Sequence, residues 1–218
     1  LFRVSVSVTL FVFLAEMFLK QAVFFAASLA ADVHAAGPKP VAELDLGAYV
    51  GRWYQTHCSL SVQVVPEAGA NCVTADYGVA SDGNAVTVKN TVGLPFGVRV
   101  AVEGFAAPNP DVAGVFQVVL GAPGNPPTEI PTFDPDARSN YLVAAVGPQV
   151  DGMYDWAVVS DPSGQTLYVL TRNVDRFGEQ YEEDVLKLVE DLGFTSFLNK
   201  PQKSNQEGCN YDEGSVVV

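Results

Sequence analysis

Leu44-Asp45-Leu46-Gly47-Ala48-Tyr49-Val50-Gly51-Arg52-Trp53-Tyr54 leads into the first of eight strand-like runs in this chain. Taken alone, Gly51-Arg52-Trp53-Tyr54 is a weak signal, and its meaning comes from the strands downstream of it. The runs are Trp53–Val65, Cys72–Ala80, Ala85–Val92, Val98–Ala106, Val112–Leu120, Asn140–Val146, Tyr154–Ser160 and Gln165–Asn173. Between them stand turn-forming clusters such as Ser81-Asp82-Gly83-Asn84, Pro108-Asn109-Pro110-Asp111 and Asp161-Pro162-Ser163-Gly164. Gly and Asn supply positive φ there and Pro a fixed φ. Short strands joined mostly by short turns form a meander. Eight of them can close into an all-β, antiparallel up-and-down barrel with no exposed edge.

One segment has helical period. Tyr181, Val185, Leu188, Val189 and Leu192 fall on one stripe, with Glu182, Glu183, Asp184, Lys187 and Glu190 between them. Acidic residues crowd its first turns, where the helix dipole favours them, and Gly193 is placed to end it. The stripe predicts one C-terminal α-helix packed on the outside of the barrel. The connection from Gly121 to Ser139 is long and carries five prolines. Loops of that length are usually functional or disordered, and this one is placed to act as a lid.

The chain has 218 residues, of which 48% are apolar and thirteen are Phe, enough for a substantial core in one domain. A formal charge of −13 repels phosphate backbones and excludes nucleic acid as an expected partner. Met17-Phe18-Leu19-Lys20 makes a short positive region, Gln21 to Ala31 an apolar one, and Val33-His34-Ala35 a small-x-small cleavage site. Residues 1–35 therefore read as an extension plus a signal peptide starting at Met17, and 36–218 as the mature domain. A membrane helix from Val4 to Ala31 is the competing reading. It would bury Glu16 and Lys20 at about 2.5–3.5 kcal/mol each. Export, to the outside or to an internal lumen, makes a disulfide possible among Cys58, Cys72 and Cys209.

Four stretches, in order, resemble the lipocalin family, specifically the branch of apolipoprotein D and the bacterial outer-membrane lipocalin. They are Leu46 to Tyr54, then Asn71-Cys72-Val73-Thr74-Ala75-Asp76-Tyr77, then Leu167-Tyr168-Val169-Leu170-Thr171-Arg172-Asn173, and lastly the helix followed by Gly193-Phe194. The family's middle Thr-Asp-Tyr motif is not intact in the stretch from Ala144 to Trp156. The resemblance implies that the Arg172 guanidinium lies over the Trp53 indole and plugs one end of the barrel. The first and last strands are neighbours at closure, so both residues fall at the same end. Gly51, Trp53 and Arg172 are thus assigned structural roles. The resemblance also pairs Cys72 with Cys209. Cys58 is then left over, as a small buried hydrophobe or as a site of dimerisation or covalent attachment.

Barrel strands alternate between inside and outside. If Cys72 points out to reach the tail, Val73, Ala75 and Tyr77 point in, and Tyr168 shares the inward phase of Arg172. The resemblance places Tyr77, Asn90 and Tyr168 in the ligand pocket. The implied function is carriage of a small hydrophobic ligand or lipid, such as a fatty acid, lysolipid or sterol, whose polar end meets these fixed points. The connections opposite the Trp53 end, including Gly93-Leu94-Pro95-Phe96-Gly97, form the mouth and could touch a membrane during loading. No zinc-ligand spacing, phosphate loop or nucleophile elbow occurs, so no metal, cofactor or catalytic residue is expected. His57 adjoins Cys58, but successive side chains of a strand face opposite sides and do not form a dyad. The rival functions are a lipid- or carotenoid-modifying enzyme on the same fold and a secreted protein-interaction factor.

Overall fold

The computed structural model describes residues 37–64 and 67–211; the leader expected at residues 1–35 lies outside them. Alternating runs become strands β1 (Gly51–Ser59), β2 (Asn71–Val79), β3 (Val86–Gly93), β4 (Arg99–Pro108), β5 (Val115–Leu120) and β6 (Tyr141–Val146). A two-residue ribbon follows, β7 (Gln149–Val150) with β8 (Met153–Tyr154), then β9 (Trp156–Ser160) and β10 (Leu167–Thr171). The ladder runs β10-β9-β6-β5-β4-β3-β2-β1, and β10 pairs back onto β1. The sheet is therefore a closed eight-stranded antiparallel barrel, with every edge used.

Most ends shift by up to a few residues, and two expected strands end early in helices. β1 stops at Ser59 because the chain turns into a short helix, α2 (Leu60–Val64), rather than running on to Val65. Before β1 comes a one-turn helix, α1 (Leu46–Tyr49), whose Gly47 and Ala48 amides are capped by the Asp45 carboxylate. β10 stops at Thr171 because Asn173 starts a helix instead of ending a strand. Its side-chain oxygen accepts from the Arg176 amide at 2.9 Å and opens α3 (Val174–Gln180). The expected helix follows as α4 (Glu182–Asp191). Val185 and Val189 of α4, with Phe177 and Phe194, bury against Val158, Leu167 and Val169 on the outer wall of β9 and β10. Each such side chain contributes roughly 1.5–3 kcal/mol on burial.

The seam between β1 and β2 is shared with the C-terminal tail. Direct pairing runs only from Gly51↔Tyr77 to Tyr54↔Thr74. A bulge between Gln55 and His57 then turns β1, and Cys72 in β2 adopts φ 49°. Into the gap comes β11 (Pro201–Lys203), which pairs with His57, Cys58 and Ser59. Gln206 Nε2 donates to the Gln55 carbonyl at 2.8 Å and to the Val73 carbonyl at 2.9 Å. It thereby satisfies both strands where their own ladder parts. The Cys72–Cys209 disulfide fastens this tail to β2.

The Pro-rich connection does not close over the mouth where its contacts are defined. Gln117 faces outward between Phe116 and Val118, and its amide bonds Asp134 and the Ala137 carbonyl. The segment is thus tied to the outer wall, contrary to the lid expectation. Asn140 completes the join. Its side chain pairs with both backbone groups of Val118 at 2.8 and 2.9 Å, standing in for a strand neighbour.

Candidate functional site

One end of the barrel is shut by a stack. Arg172 lies 3.5 Å from the centre of the Trp53 ring, which is fully buried. The guanidinium is a rigid fork of donors: Nε donates to the Tyr154 carbonyl, Nη1 to that of Arg52, and Nη2 is shared among those of Ala48, Tyr49 and Val50, at 2.7–3.2 Å. The indole N–H donates to the Tyr49 carbonyl at 2.8 Å. Burial pushes the Arg172 pKa down to about 10, with Tyr49 and Tyr77 acting in the opposite sense. Gly51 is needed beside it. Its φ is +101°, and a Cβ there would stand 3.2 Å from Arg172 Nη1.

Above this plug the interior is lined by Tyr49, Tyr77, Val86, Val88, Asn90, Ala106, Phe116, Val118 and Tyr141, around a cavity of about 50 Å³. That is room for a few water molecules, against the roughly 150 Å³ of a cavity that takes benzene. The hollow above the plug is therefore narrow. Aromatic rings do the filling: Tyr77 packs edge-on to Tyr141 at 6.4 Å, and Phe116 edge-on to Tyr141 at 5.8 Å. A larger hollow, of about 380 Å³, lies on the outer wall between Pro126-Pro127 and residues of β3 and β4. Its charged lining residues, Lys89 and Glu103, pair with each other at 3.1 Å, whereas the interior one holds hydroxyls and an amide.

Three hydroxyls meet there. Tyr49 and Tyr141 are 2.6 Å apart, and Tyr77 and Tyr141 3.2 Å. Burial raises all three, Tyr77 to about 12, so each keeps its proton. The network can both give and take hydrogen bonds. Beside it the Asn90 carbonyl oxygen is buried and has no partner. An orphan acceptor of this kind costs about 1–3 kcal/mol.

Of the residues singled out from the sequence, Tyr77 and Asn90 lie in the cavity wall. Ala75 and Tyr168 belong to the same interior cluster but not to that wall. Val73 is buried where Gln206 crosses β2, and falls in neither group. The bulge at Asn71–Thr74 breaks the alternation that placed Val73 beside the ligand. Tyr49, Phe116 and Tyr141 were not singled out. Tyr141 comes from across the barrel, beyond the longest connection, where strand alternation from β2 gives no phase.

At the other end of the interior, β10 sets Tyr168 opposite Cys58. The Gln55 amide nitrogen donates to the Glu67 carboxylate at 2.7 Å and to Ser204 Oγ at 3.0 Å. Cys58 is a buried free thiol pushed up to about 12 by burial and by Glu67. Its thiolate is scarce at neutral pH, and so is its nucleophilicity. His57 faces the other way, with Nε2 3.3 Å from Glu182 on α4. The pair form no dyad.

The sequence matches the lipocalin-like domain family over residues 44–203, and the chain belongs to that family. Among curated proteins none matches it. Solved structures share the fold at low identity. Insecticyanin from the tobacco hornworm Manduca sexta is 21% identical with a TM-score of 0.51, covering 80% of this chain and 88% of its own. Apocrustacyanin C1 is 15% identical with a TM-score of 0.50, covering 83% and 97%. A biogenic amine-binding protein is 17% identical with a TM-score of 0.51, covering 82% and 91%.

Proposed function

We propose that this chain is a secreted carrier of one small hydrophobic molecule, held in the barrel between the Trp53–Arg172 plug and the opposite mouth. The observation that carries this reading is the interior cavity itself. There an unpartnered Asn90 oxygen and a chain of three neutral tyrosine hydroxyls face apolar wall. A ligand that donates one hydrogen bond satisfies Asn90 and leaves its apolar body against Val86, Val88 and Val118. Tyr77 and Tyr168 are assigned to the ligand as well, with Ala75 as filler behind them. One of the matched structures is by its name a small-molecule binding protein, which agrees with this use of the fold.

The narrowness of the hollow adds a requirement. A ligand larger than a few atoms enters only if Tyr141 and Phe116 turn aside, so binding widens the interior. The first candidates are a slender alkyl chain or a single small ring; a sterol demands the most rearrangement. Secretion is supported by the Cys72–Cys209 disulfide, and N-terminal sequencing of exported protein should give a start near Ala36. The reading is of a binder and not an enzyme, supported by the high pKa of Cys58 and by its separation from His57 across the wall.

Uptake of a fluorescent fatty acid tests the carrier reading. Tyr77→Ala combined with Tyr168→Ala should raise its Kd at least tenfold, about 1.4 kcal/mol. Equal affinity in the double variant would remove these residues from the site.

A further inference from the structure

The mouth-side half of the interior contains a carboxylate that the carrier reading leaves unused. Glu67 follows α2 and is turned back toward the barrel, its amide donating to the Val62 carbonyl at 3.1 Å. Its carboxylate meets Gln55, which is 2% exposed and shares the inward face with its partner Leu170. Cys58 and Tyr168 flank it. Cys58 and Tyr168 stand opposite each other on β1 and β10, and burial together with the charge of Glu67 holds both of their pKa values up.

The balance of partners is one-sided. A carboxylate accepts up to about four hydrogen bonds. Here, among the described residues, it has one donor, the Gln55 amide at 2.7 Å. The ion pairs of Arg52, His57, Lys89, Arg176 and Lys203 all go elsewhere, and among the described residues no cation pairs with Glu67. A charge taken out of water without a counter-charge is expensive. Burial accordingly pushes the Glu67 pKa up. A structural pin between the connection and the tail would need only a neutral amide at this place. The Tyr168 ring, which packs on the interior cluster, adds an aromatic face beside the carboxylate.

We infer that the mouth-side interior is an ammonium site, in which Glu67 pairs with the protonated amine of a small ligand whose apolar body points toward the tyrosine-lined cavity. Tyr168 lies between the two regions: it stands opposite Cys58 and packs on the same interior cluster as Tyr77. The inference rests on the carrier reading and narrows its ligand to cationic amphiphiles. It also orients that ligand, with its charged end toward the mouth and its body inward.

The test uses 2-phenylethylamine and 2-phenylethanol, which differ by one heavy atom, in titration calorimetry on the intact oxidised protein. Wild type should bind the amine at least tenfold more tightly than the alcohol. Glu67→Gln preserves the hydrogen bond from Gln55 and removes the charge, so it should level the two affinities while its melting temperature holds or rises. Equal affinities in wild type, or an unchanged preference in Glu67→Gln, would overturn the ammonium site and leave carriage standing. Should wild type bind neither compound, the ammonium site fails, and fatty-acid uptake then decides carriage on its own. Should Glu67→Gln fail to fold, the wild-type comparison of amine with alcohol still decides.

Discussion

Trp53 is the largest of the fully buried side chains among the described residues. It is fully buried, donates its N–H to Tyr49 and lies under Arg172. Trp53→Ala should cost about 3–5 kcal/mol, seen as a large fall in melting temperature. Arg172→Lys keeps the charge but loses the fork that serves five carbonyls, and should also lower it. His57 makes a pH-dependent contribution. Burial holds its pKa below the ordinary value, against the pull of Glu182 and with the push of Lys203. As pH falls through about 6.5 the unfolded chain takes the proton first. The stability from neutral His57 is present above that pH and lost below it. Denaturation series from pH 7.5 to 5 should show a shallower loss in His57→Gln than in wild type. These roles differ in how readable they were. Trp53 and Arg172 were placed by motif, because Trp53 sits on β1 and Arg172 directly follows β10, strands adjacent at closure. Tyr141 gave no local signal, since Tyr49 and Tyr77 lie far along the chain, and Glu67 gave none because it sits in a connection with no strand phase.

At the level of elements, the seam closed by the tail is the least ordinary part of the barrel. β11, Ser204, Gln206 and the disulfide together replace the missing β1–β2 ladder. The Ser204 amide donates to Thr56 at 2.8 Å, and the Cys72 amide to Asn205 at 2.9 Å. The disulfide spans 137 residues of sequence, so its loss should cost up to about 4–5 kcal/mol on chain-entropy grounds. In a Cys72→Ser, Cys209→Ser variant, amide exchange should quicken first at Cys72→Ser itself and at Ser204, with β9 and β10 still protected. Uniform quickening throughout would mean that the tail is not a local fastener. Period-2 patterning located all eight barrel strands, within a few residues at most ends. It could not show β11, which is three residues long and polar. It could not show α3 either, because Asn173 fits a strand end as well as a helix cap until the partner amide is known.

For the whole molecule, hydrophobic alternation and turn chemistry were enough to specify a closed barrel with a helix outside. They were not enough to give its internal volume. That depends on which inward positions carry rings and how those rings meet, and Tyr49, Tyr77, Phe116 and Tyr141 meet closely enough to leave about 50 Å³. The resemblance implied a ligand pocket at Tyr77 and Asn90; the hollow there is narrow and lined with hydroxyls and an orphan amide oxygen. Asn90→Leu should therefore keep or raise the melting temperature, since it removes an unsatisfied buried acceptor, while weakening ligand uptake. A fall in stability with unchanged uptake would assign Asn90 to packing alone. The most direct test of the carrier account is native mass spectrometry of the protein purified from its source under gentle conditions. The account predicts a one-to-one complex with a small apolar molecule that is released on denaturation. A folded, oxidised protein that shows only its own mass, and takes up no offered ligand, would contradict it.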